Sequence, residues 1–217
     1  MPVTADEPLR AAIARVEAVF GGMTASPQER GCGNCYSPAD LTALRTPTVA
    51  LPKGLAEAVA MEVPDHWDDQ AAVLRRVLPQ IVVLMAEGST WPERIVHQWV
   101  AAGWTTWPAP QVQALTTFLE AWLTWTLRQE SPPTPAREVF ETCATATSSV
   151  TTWITHWDTA ADPASTAPHL AEAAQYWELE WGGKPLRYWK GSEADEQAAY
   201  TELKAWLTTR NLLNPTD

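Results

Sequence analysis

The chain has 217 residues, with 26 Asp and Glu against 15 Lys and Arg and a formal net charge of -11 at pH 7. Nucleic-acid and anionic-membrane binders need a dense basic footprint to displace counterions, and the one tight basic cluster, Arg75-Arg76, does not supply it. Hydrophobic residues make up 46% and charged residues 19%, which is a globular balance; a chain of this size buries roughly 70–75% of its unfolded surface and needs no metal or disulfide merely to fold.

Apolar residues recur at period 3.6, and no segment alternates at period 2 for long. This predicts an all-α fold, a multi-helix bundle or irregular stack of helical hairpins with about eight to ten helices. The first helix opens near Glu7-Pro8, carries Leu9, Ile13, Val16 and Phe20 on one face, and stops at Gly21-Gly22. A loop over 23–36 follows. Ser37, Pro38 and Asp40 then announce a short helix by cap, first-turn proline and first-turn acid. A third element runs from Leu55 to Met61. Asp65 is the expected cap of a longer one, with Leu74, Val77, Leu78, Ile81, Val82 and Met85 buried and a kink or break at Pro79.

Thr90 and Glu93 have the spacing of a capping box for a helix burying Ile95, Trp99 and Val100. Thr106-Trp107-Pro108 opens the next helix, which carries Leu115, Phe118, Leu119, Trp122 and Leu123. Its echo of Thr90-Trp91-Pro92 fits stacked hairpins. Ser131-Pro132-Pro133-Thr134-Pro135 is the strongest loop signal. The expected organisation is a single helical domain over 1–217, with a subdomain boundary near 131–135. Beyond it, Val139, Phe140, Cys143, Val150, Trp153, Ile154 and Trp157 share a helical face. Helices are then predicted from Thr166 to Trp181 and from Ser192, which has Asp195 three residues on.

The opening Met1–Glu7 lacks the basic and apolar regions of a signal peptide. The longest apolar stretch, Ile81 to Ala86, is too short to cross a bilayer. Three cysteines do not make a secreted disulfide framework. A cytoplasmic protein is expected.

Cys32-Gly33-Asn34-Cys35 is the first chemical feature. Two thiolates at this spacing can hold one edge of a tetrahedral zinc, with two further ligands needed. No second CxxC and no HxxxH exists in the chain, so His66 and Cys143 are the candidates to help. The bland reading is two structural thiols in a packed loop, fixed by burial of Tyr36. It comes first, so no cofactor is expected, and zinc on Cys32, Cys35 and His66 is the alternative. A thiol redox pair is the third reading, without the βαβ context such motifs usually have. Cys143 itself reads as a buried small hydrophobe. In Asp65-His66-Trp67-Asp68-Asp69 the carboxylates read as helix-start residues. His97, His156 and His169 form no helical two-histidine face.

Thirteen tryptophans are the oddest feature. Most fit core positions, while Trp67, Trp91, Trp104, Trp107, Trp181 and Trp189 fall near helix ends or in loops. An exposed subset would anchor a protein partner. The expected partner surface is Trp181, Tyr188 and Trp189 beside Lys184, Arg187 and Lys190.

Cys32-Gly33-Asn34-Cys35-Tyr36-Ser37-Pro38, His66-Trp67-Asp68-Asp69, Arg75-Arg76-Val77-Leu78-Pro79 and Ala102-Gly103-Trp104-Thr105-Thr106-Trp107-Pro108 together resemble a group of uncharacterised bacterial proteins. In that group a CxxC-aromatic segment precedes a short helix. The resemblance covers roughly residues 30–125. It implies a shared helical fold and a CxxC that acts as a unit, and it implies no activity. The leading expectation for function is a non-enzymatic scaffold or adaptor binding another protein through a tryptophan-rich surface. The alternative is a zinc protein, structural before hydrolytic.

Overall fold

The structure is a computed structural model and describes residues 6–63, 66–180 and 192–213. It is 70% helical, with ten α-helices and no strand among the described residues, as the periodicity predicts. The helices are α1 (Glu7–Phe20), α2 (Pro38–Arg45), α3 (Lys53–Met61), α4 (Gln70–Ala86), α5 (Pro92–Ala101), α6 (Ala109–Leu127), α7 (Ala136–Thr147), α8 (Val150–Ala160), α9 (Pro163–Glu180) and α10 (Glu193–Thr208). No helix among the described residues is long and apolar enough to cross a membrane. The chain divides into two compact units, residues 1–121 and 122–217. The division falls inside α6, and the proline-rich segment 131–135 lies within the second unit between α6 and α7.

In the first unit α1 and α3 pack on α4, and α3 also meets α5. Leu9, Val16 and Phe20 of α1 and Val73, Val77, Ile81 and Met85 of α4 are among the buried residues of that layer. α4 runs through Pro79 as one helix. Of the expected kink or break, the break into two helices is absent. Proline costs a helix interior about 3 kcal/mol, and ten of the 17 residues of α4 are buried, at roughly 1.5–3 kcal/mol for each large apolar side chain. Packing on both sides of Pro79 therefore outweighs it. Asp65 lies outside the described residues; the side chain capping α4 is that of Asp69, which accepts from the Ala72 amide at 3.0 Å.

The Thr90–Glu93 capping box does not form. Trp91 occupies the cap position of α5 without a side-chain hydrogen bond, and Pro92 takes the first helical position. The boxes at Ser37–Asp40 and Ser192–Asp195 do form, each with both reciprocal hydrogen bonds.

In the second unit α7 packs on α8 and α9, and α8 on α10. The single helical face drawn through 139–157 is two helices. Ser148 takes a left-handed turn at φ 53° and Ser149 caps α8 by accepting from Thr152. Phe140 sits at the centre of an aromatic cluster, with Trp157, Trp177 and Trp206 at ring distances of 5.7, 5.6 and 6.0 Å. Cys143 is fully buried on the same helix, beside Val139 and Phe140 in sequence register, as expected.

Candidate metal centre

The loop over 23–36 carries no helix, and its backbone is held by turns and by one buried side chain. The amides of Cys35 and Tyr36 both donate to the Cys32 carbonyl at 3.0 Å, folding Cys32-Gly33-Asn34-Cys35 into a tight turn. Both sulfurs thereby sit on one knuckle, the arrangement in which two thiolates reach one cation. Tyr36 is buried at the end of this turn and its ring lies 4.3 Å from that of Trp67, so the expected anchoring by Tyr36 is present. Gly31 has φ +58°, and a Cβ there would meet Leu41 and Trp67 at 3.0 Å. Only glycine accommodates both the backbone angle and that approach.

Glu29 is the fastener of the loop. It is 0% exposed, and its carboxylate accepts from the amides of Gly31, Asp68 and Asp69 at 2.9, 2.9 and 2.8 Å. Charge-assisted bonds to backbone donors are about twice as strong as neutral ones. Its own carbonyl accepts from the Arg45 guanidinium. Arg30 adds an exposed ion pair to Asp68, with its amide and Nε both on Oδ2. That pairing holds the Asp68 carboxyl below the usual carboxylate range. These bonds stitch residues 29–31 to the start of α4, and the segment so fixed is the one carrying His66.

The consequence is a cluster. The sulfurs of Cys32 and Cys35 and a ring nitrogen of His66 all lie within 4.8 Å of one another. His66 Nδ1 is 3.6 Å from Cys35 Sγ. It is also 3.2 Å from Oε1 of Glu62, four residues back. Glu62 in turn accepts from the Val63 amide through Oε1 and from the Tyr36 hydroxyl, at 3.4 Å, through Oε2. Both cysteines are thiols, Cys32 half-buried and Cys35 exposed. A hydrogen bond from the Cys35 thiol and the Asn34 amide pull the Cys32 thiol below its ordinary range, and the same thiol–thiol hydrogen bond pushes Cys35 up. Burial, then the charge of Glu62, drives the Tyr36 phenol above its usual range.

The sequence therefore named the three members of the cluster, and Cys143 is not among them. It missed Glu29 and Glu62. Glu62 stands four residues before His66, but it ends α3 in extended backbone, so no helical spacing marked the pair. Glu29 had no signal either, being a lone acid in a loop. The partner residues Trp181, Tyr188 and Trp189 lie outside the described residues. Of the eleven tryptophans that are described, ten are buried and Trp91 alone is exposed, at 63%, so the helix-end tryptophans Trp67, Trp104 and Trp107 are core residues and not partner anchors.

No protein-family model matches the chain, and neither a curated protein nor a solved structure does.

Proposed function

We propose that Cys32, Cys35 and His66 form a zinc site whose role is to lock the glycine-containing 23–36 loop onto the α3–α4 connection. The observation that carries this reading is the convergence of three zinc-type ligand atoms within 4.8 Å from segments 31 residues apart in sequence. Two thiolates and an imidazole are soft and borderline donors. They select zinc over magnesium or calcium, which take oxygen cages. The spacing supports it in detail: with zinc–sulfur near 2.3 Å and zinc–nitrogen near 2.05 Å, a tetrahedron has a sulfur–nitrogen edge of about 3.6 Å, and Cys35 Sγ stands 3.6 Å from His66 Nδ1. The polar stitching by Glu29 preorganises the donors, so the cation meets them nearly in position.

Titration of the purified protein with zinc against a chromophoric chelator tests the proposal. The wild type takes up about one zinc per chain, and the double variant Cys32→Ser/Cys35→Ser takes up none. Equal zinc uptake by the two proteins contradicts it. No uptake by either returns the cysteines to the reading of a packed thiol pair.

A further inference from the structure

We propose that Cys32 and Cys35 are also a redox modification site: a hydroperoxide joins them in a disulfide, and the cation held by the pair is released. This rests on the zinc reading above and deepens it by naming what opens the centre. The geometry of the turn comes first. The Cys35 amide donates to the Cys32 carbonyl at 3.0 Å, the hydrogen bond that closes a four-residue turn and keeps its end Cα atoms within about 7 Å. Disulfides span Cα separations of about 4.4–6.8 Å. The two sulfurs already lie within 4.8 Å of each other, so side-chain rotation brings them to bonding distance with the backbone in place. Cys35 is exposed and Cys32 half-buried, whereas Cys143 is fully buried on α7. A small oxidant from solvent therefore meets this pair and not the third cysteine.

The chemistry takes two displacements. The sulfur of the exposed Cys35 attacks one oxygen of the hydroperoxide. The O–O bond breaks, the other oxygen leaves with a proton as an alcohol or water, and Cys35 becomes a sulfenic acid. The sulfur of Cys32 then attacks the Cys35 sulfur. The S–S bond forms, and the hydroxyl leaves with a second proton as water. Two electrons pass from the sulfurs to the peroxide. A disulfide supplies no thiolate, so His66 alone of the three ligands remains, which does not hold a structural zinc. The path of the loop outlasts the change, because its other fastenings use no sulfur. Glu29 holds the amides of Gly31, Asp68 and Asp69. Tyr36 lies against Trp67, and Ser37 and Asp40 start α2 with reciprocal hydrogen bonds. Reduction therefore returns both sulfurs to the same knuckle, and the modification is reversible.

Treating reduced, zinc-loaded wild type with about one equivalent of hydrogen peroxide tests this. Released zinc is read with an indicator too weak to strip the untreated protein, thiols with a thiol reagent after unfolding, and the bridge by peptide mass mapping. The bound zinc is expected in solution, with two of the three thiols lost and Cys32 bridged to Cys35. A dithiol reductant then restores both the thiols and zinc uptake. Cys143→Ala gives the same release, and the mapping of the wild type places the bridge if that variant folds poorly. Zinc that stays on the peroxide-treated protein, a bridge that involves Cys143 or a second chain, or sulfinic acid in place of a disulfide would overturn the inference while leaving the zinc site standing. A wild type that takes up no zinc before peroxide is added would overturn the zinc reading, and this inference with it.

Discussion

The two units of the chain are held together by different physics. In the second, the centre is apolar: Phe140 meets Trp157, Trp177 and Trp206, and the indole nitrogens of Trp177 and Trp206 find Glu141 and Asp158 at the edge of the cluster. In the first, the helices α1, α3 and α4 are packed in the same manner, but the segment carrying the cysteines is fixed by a buried carboxylate and three backbone amides. Aromatic burial is non-directional and tolerates some relaxation. A carboxylate on three amides is directional, and it fails outright when the acceptor is removed. A loop held in the second way is a place where a metal adds something that packing does not.

Truncating each centre sharpens this contrast. Phe140→Ala removes a fully buried ring and is expected to cost about 3–5 kcal/mol, read by denaturant unfolding. Glu29→Ala orphans three amides, at about 3 kcal/mol in all. It should also abolish zinc uptake, because residues 29–31 and 68–69 lose their common acceptor. Phe140→Ala should leave zinc uptake intact. Loss of zinc uptake in Phe140→Ala, or its persistence in Glu29→Ala, would break the comparison.

The acids of the two units differ in a second way. Glu141 is 16% exposed at its side chain, faces Arg137 at 3.3 Å and the Trp177 indole at 2.7 Å, and has Glu138 nearby. Burial pushes its carboxyl up to about 7 in spite of Arg137 and the indole. Its folded value thus lies above its unfolded one, and the folded state holds the extra proton between about pH 4.5 and 7. Stability from this group is full below about pH 4.5 and falls as pH rises toward 7, by on the order of 3 kcal/mol at most. Glu141→Gln should flatten that slope across the window. A pH profile of unfolding identical to that of the wild type would show that Arg137 keeps Glu141 ionised throughout.

Much of this was legible from the sequence. Ser37 and Ser192 announce their helices because a cap and its acid stand three residues apart, and both partners lie in one turn. The same spacing misled at Thr90, where Pro92 fixes the first helical position and Trp91 becomes the cap. The break at Ser148-Ser149 escaped because the apolar face continues in register across it, and a two-serine turn leaves no mark on periodicity. His66 could be named as a candidate ligand from its chemistry. What brought it to the cysteines is Glu29, a long-range bond to backbone amides that local pattern does not encode.

The most direct measurement is thermal unfolding of zinc-loaded wild type and of Cys32→Ser/Cys35→Ser, each with and without a strong chelator. A ligand bound only by the folded state at about a thousandfold above its dissociation constant adds about 4 kcal/mol, or on the order of 10 °C in a chain of this size. The wild type should fall by that order when chelated, while the double variant is unmoved. A wild-type melting temperature unchanged by the chelator, in protein proven to have been exposed to zinc, would contradict the account and leave the loop held by Glu29 and Tyr36 alone.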